Sequence, residues 1–178
     1  NKKKKENKKE NRKISKEKEG GGKDAKIGGE HRIALRLDGH NELVAGSFSS
    51  NFANSKETGE KIGIAQDRIY ETYKEMAEKE ASRSDGIDVV SIVTPNHLHV
   101  PVAKIFADKG INIICDKPLA LTSKEAVELK KTIENNKLIF ALTHNYTGYP
   151  MIRHARFLIQ KGDLGSIRVV QAEYPQDW

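Results

Sequence analysis

From residue 33 onward the chain alternates short apolar runs with longer amphipathic stretches, and few folds accommodate that rhythm. Residues 42–48, 87–94, 111–115 and 138–143 read as strands. They are nearly continuous Val, Ile, Leu and Ala, as expected for strands covered on both faces. Residues 55–63, 69–81, 100–109, 122–136 and 151–161 read as helices, and 167–174 form a last strand-like run. Ser55 is the expected N-cap of the first of these helices. Thr122-Ser-Lys-Glu125 is a capping box, and Gly110 and Gly162 stop the helices they follow. Strands separated by helices of this length imply right-handed βαβ units, hence an α/β fold with a doubly wound parallel sheet of the Rossmann type.

Ligands of such sheets sit outside the carboxyl ends of the strands. Here those ends carry the polar, Gly and Pro residues: 20–25, Ser49-Ser50-Asn51, Thr94-Pro95-Asn96, Asp116-Lys117-Pro118 and His144-Asn145-Tyr146.

Gly20-Gly-Gly22-Lys-Asp-Ala25 fits G-x-G-x-x-A, a tight turn whose backbone can approach a pyrophosphate at a helix N-terminus. A buried strand should precede it. The segment 13–19, Lys-Ile-Ser-Lys-Glu-Lys-Glu, has one apolar residue and is not expected to be a central strand. Lys26 and Glu30 also stand where a core-facing helix wants apolar groups. Two explanations compete: the true first strand is lost through a shifted or misjoined start, which is the favoured expectation, or the sheet begins at the second strand.

After residues 42–48, an NAD-specific site would place an acid for the ribose 2′-hydroxyl. Ser49 and Ser50 stand there instead, and no acid occurs until Glu57, so NAD and NADP stay open. Asp116-Lys117-Pro118 is the sharpest local feature. A lysine at a buried strand's end is placed for partial desolvation, which favours its neutral form and suits proton exchange with a hydroxyl. A solvated turn is the bland alternative. His97 and His99 lack a third metal ligand at suitable spacing, so no metal site is expected; a helix-cap or nucleotide contact fits better. Cys115 reads as a core residue.

Together these pieces resemble the Gfo/Idh/MocA family of NAD(P)-dependent oxidoreductases. The matching segments are the glycine turn at 20–22, Val93-Thr-Pro-Asn-His-Leu-His99, Ile114-Cys-Asp-Lys-Pro118 (with Asp for the family's Glu), Thr143-His-Asn-Tyr-Thr-Gly-Tyr-Pro150 and Gly162-Asp-Leu-Gly-Ser-Ile-Arg168. The resemblance covers roughly residues 20–178. It implies hydride transfer between nicotinamide and a sugar, inositol or related polyol, with NAD or NADP as cofactor. Gly20, Gly22 and Ala25 would line the pyrophosphate, and Ser49 and Ser50 would face the adenosine ribose. Thr94, Pro95, Asn96 and His99 would pack along the dinucleotide, with Asp116 beside it. Lys117 would hydrogen-bond the reacting hydroxyl, and Asn145 would lie near nicotinamide or substrate. The family's catalytic histidine belongs to a second domain used for substrate binding and homo-oligomer contacts. The chain is expected to stop after the start of that domain and to be inactive alone.

The net charge of +6 resides entirely in residues 1–19, which hold ten Lys/Arg and four Glu. A basic tail can bind nucleic acid, but this one has no aromatic residue to stack on a base, and a solvated end is expected. The expected organisation is a basic tail (1–19), a dinucleotide-binding domain (20–145) and the beginning of a truncated domain (146–178). One cysteine, no long apolar run and no signal-like segment lead to the expectation of a cytoplasmic protein without membrane or nucleic-acid partners. A non-enzymatic dinucleotide-binding module and an inactive truncated product are the alternatives to a dehydrogenase.

Overall fold

The computed structural model describes residues 12–17 and 26–177. The chain forms two compact units, 1–143 and 144–178.

The first unit holds strands β1 (Arg12–Glu17), β2 (Asn41–Ser47), β3 (Val89–Ile92), β4 (Asn112–Cys115) and β5 (Phe140–Leu142). Helices α1 (Lys26–Arg36), α2 (Phe52–Lys61), α3 (Tyr73–Ser82), α4 (His99–Asp108) and α5 (Ser123–Asn135) intervene. All pairings are parallel, in the order β2-β1-β3-β4-β5. An isolated parallel bridge between Gly46 and Ile69 continues the sheet beyond β2. Counting that bridge as a vestigial strand gives the order of a dinucleotide-binding sheet, with the switch point between β1 and β3.

Three expectations are corrected here. The charged segment is a central strand after all: β1 pairs with β2 on one side and β3 on the other. Parallel pairing draws on backbone N–H and C=O groups, which every residue in Arg12–Glu17 supplies, and an empty slot between β2 and β3 would orphan both neighbours' groups. The sheet therefore does not begin at β2, and residues 12–17 fill the place between β2 and β3. Second, residues 69–72 are not helical, and α3 begins only at Tyr73. Tyr70 N–H donates to the Gly46 carbonyl (2.9 Å), and Thr72 caps α3 by accepting from Glu75 N–H. Third, Asn51 and not Ser55 caps α2, which begins three residues earlier than expected. Ser55 is buried inside the helix, where its Oγ accepts from Phe48 N–H at 2.8 Å.

The core lies between the sheet and its helices. In α4 the buried residues His99, Val102, Ala103, Phe106 and Ala107 recur at the i, i+3, i+4, i+7 spacing of one helix face. They pack with Val90 and Ile92 of β3, Ile113 and Cys115 of β4, and Leu129 and Ile133 of α5. The expected capping box of α5 is present, with Thr122 and Glu125 bonding reciprocally.

In the second unit, α6 (Pro150–Lys161) starts with Pro at its first position and ends at Gly162 in the left-handed region (φ +84°). Residues 167–174 form no strand: the described backbone there has no ladder partner, and Val169 and Val170 are exposed. No helix among the described residues is long and apolar enough to cross a membrane.

Candidate dinucleotide site

The loops leaving β2, β3 and β4 collect most of the expected site residues at the sheet's carboxyl edge. Ser49 is buried, and its Oγ accepts from Asn51 N–H (3.1 Å), which shapes the turn into α2. Ser50 is exposed. No carboxylate stands in this turn.

Thr94 follows β3. It is 6% exposed, and its Oγ1 is the one buried side-chain polar atom without a hydrogen-bond partner among the described residues. A buried hydroxyl left unpaired costs about 1–3 kcal/mol unless something satisfies it. Pro95 and Asn96 lie exposed just beyond, where Leu98 N–H closes a turn on the Pro95 carbonyl (2.8 Å).

Asp116 follows β4, half-buried. Its Oδ1 accepts from the Thr143 hydroxyl (2.7 Å) and from Lys117 N–H (2.9 Å). Its own N–H donates to the Ile92 carbonyl of β3 (2.9 Å). Lys117 is exposed, so the partial desolvation expected for it is not supplied by the described residues. The Lys117–Pro118 peptide is cis. Cys115 is fully buried, and burial, with the Asp116 charge adding to it, pushes its thiol up to about 12. Such a thiol is a core group and not a nucleophile.

His99 is buried at the start of α4. Its Nδ1 lies 2.6 Å from the Pro118 carbonyl and its Nε2 lies 2.9 Å from the Thr94 carbonyl. Both polar atoms of the ring are thereby engaged by backbone and none is left for a bound ligand. Asn145 opens a turn (Asn145–Gly148) in the second unit. Gly20, Gly22 and Ala25 lie outside the described residues.

Two polar residues of this edge escape sequence reasoning. His31, on α1, places Nδ1 3.1 Å from the Ser91 Oγ of β3 and Nε2 3.9 Å from Asp116 Oδ1. A lone serine inside the apolar run Val-Val-Ser-Ile-Val was the available signal for a buried polar partner.

Residues 21–144 match the family described as "Oxidoreductase family, NAD-binding Rossmann fold" (GFO_IDH_MocA). The chain belongs to this oxidoreductase family. An uncharacterised oxidoreductase, YfiI, of Bacillus subtilis is 39% identical over 156 residues, covering 87% of this chain and 40% of YfiI. An oxidoreductase of Sinorhizobium meliloti superposes with a TM-score of 0.87 at 48% identity, over 95% of this chain and 46% of that one. An inositol dehydrogenase homolog of Azotobacter vinelandii, solved with NADH and myo-inositol, gives a TM-score of 0.83 at 34% identity, over 88% of this chain and 41% of its own. The chain thus spans less than half the length of these relatives.

Proposed function

We propose that this chain supplies the dinucleotide-binding half of a dehydrogenase that moves hydride between a nicotinamide cofactor, NAD or NADP, and a polyol or sugar. The observation that carries this reading is the Thr94 hydroxyl, buried and unpartnered at the carboxyl edge beside the switch point. It fits a polar ligand laid across that edge. The inositol dehydrogenase homolog, bound to NADH and myo-inositol, supports the ligand class.

When bound, the cofactor accepts or donates hydride at the nicotinamide C4. The residues of the chain divide the remaining work. Thr94, Pro95 and Asn96 flank the dinucleotide. Ser49 and Ser50 face the adenosine ribose, where a turn without a carboxylate tolerates a 2′-hydroxyl or a 2′-phosphate. Gly20, Gly22 and Ala25 line the pyrophosphate. Asp116 holds the Lys117 backbone, and the Lys117 ammonium donates a hydrogen bond to the reacting hydroxyl oxygen, while the acid-base histidine belongs to the part of the relatives that this chain does not span. Asn145 lies near nicotinamide or substrate. The polyol pocket and any homo-oligomer contact belong mainly to the part of the relatives that this chain does not span.

Titration with NADH and NADPH, read by nucleotide fluorescence, tests the reading. Saturable binding of either supports it and selects the coenzyme. A folded chain that binds neither overturns it.

A further inference from the structure

The Thr94 and Lys117 loops leave adjacent strands, and one buried side chain spans them. His99 is 1% exposed and reaches the Thr94 carbonyl with one ring nitrogen and the Pro118 carbonyl with the other. Carbonyl oxygens only accept, so the imidazole is the donor in either contact, and in both when it carries two ring protons. The Lys117 backbone is therefore anchored on each side. Before it, Asp116 is tied to Ile92 and Thr143; after it, Pro118 is tied to His99. Burial obliges the ring nitrogens to find polar partners, and here the two partners are carbonyls of two different exit loops.

We propose that His99 is a positioning residue that sets the spacing between the Thr94 hydroxyl and the Lys117 amine. The role of that spacing rests on the function proposed above: hydride and proton must leave the same carbinol, so the group beside the nucleotide and the group beside the hydroxyl need a fixed separation. Displacements on the order of 1 Å can cost about a hundredfold in rate. His99 touches neither reacting atom and acts through the two loops.

The 178-residue chain, labelled with 13C at lysine Cε, tests this, with the Lys117 signal assigned by Lys117→Arg. His99→Gln keeps a donor at this site and loses the ring. His99→Phe keeps the ring volume and loses both donors. The expected result is that the Lys117 Cε signal shifts in His99→Phe and stays near its original position in His99→Gln, with the other lysine signals unmoved in both. The reverse pattern, or no shift in folded His99→Phe, overturns the proposal. If His99→Phe does not fold, His99→Gln alone decides: a retained Lys117 signal supports the role and a displaced one overturns it. The readout needs no nucleotide. Failure of NADH and NADPH to bind would therefore overturn the proposed function while leaving the His99–Lys117 linkage to be judged separately.

Discussion

The Thr143 hydroxyl donates to Asp116 Oδ1 at 2.7 Å, so the residue just past β5 holds the carboxylate just past β4. The same oxygen accepts from Lys117 N–H. Replacing Thr143 by Val keeps the shape and removes the donor. The expected cost is about 1–2 kcal/mol of stability, because a half-buried carboxylate loses one of its two donors. Urea unfolding of Thr143→Val against the unaltered chain measures it; an unchanged midpoint would show that water replaces the hydroxyl.

A larger loss is expected at Glu80. It is 1% exposed, pairs in two-pronged fashion with buried Arg68, and accepts from the Tyr70 hydroxyl at 2.7 Å. Burial, reinforced by the hydrogen bond to Glu80, pushes the Tyr70 hydroxyl above the ordinary tyrosine range. Glu80→Ala leaves the buried Arg68 with only the half-exposed Asp85 carboxylate, 3.6 Å away, and strips it of its buried two-pronged partner, at a cost of about 3 kcal/mol. Replacing Arg68 and Glu80 together by apolar residues of similar volume should cost much less. A thermal melt of these two variants beside the unaltered chain checks the order.

How legible these arrangements were in the sequence depended on how local their causes are. The α5 capping box, the glycine stops and strands β2 to β5 follow from residues a few positions apart, and all were readable. β1 was not, since its place rests on backbone pairing with β2 and β3 and not on its own side-chain composition. Residues 69–72 misled for a similar reason: they follow a helical-looking pattern, but Gly46 lies across from Ile69 and claims the Tyr70 N–H. The candidate site residues were found at strand ends, while the ties among them (His99 to Pro118, Thr143 to Asp116, His31 to Ser91) join residues 19 to 60 positions apart that no local pattern connects.

Cys115 gives a reactivity prediction. Burial, and secondarily the Asp116 charge, pushes its thiol up to about 12, and the residue is 0% exposed. At pH 8 a disulfide reagent such as DTNB should label the folded chain only at the rate of opening, and urea should release rapid stoichiometric labelling. Immediate labelling without urea would contradict the packing described here.

The acid limb of stability offers another check. The hydrogen bond from the Arg83 guanidinium holds the Asp85 carboxyl down to about 2. An unfolded Asp titrates near about 3.9. The folded value is depressed, so the contribution is present above about pH 4 and is lost as pH falls through about 2. Asp85→Asn should flatten the decline of the urea midpoint between those values. An identical slope in both chains would show that the pair is too solvated to matter.

The central claim, that the carboxyl edge of the sheet holds the dinucleotide, is tested most directly by amide NMR of the 15N-labelled chain during addition of NADH or NADPH. The account predicts saturable shifts concentrated at residues 48–51, 94, 96, 116 and 117, with α5 and the amino ends of the strands unmoved. Shifts centred elsewhere, or none in a folded chain at saturating nucleotide, would contradict it.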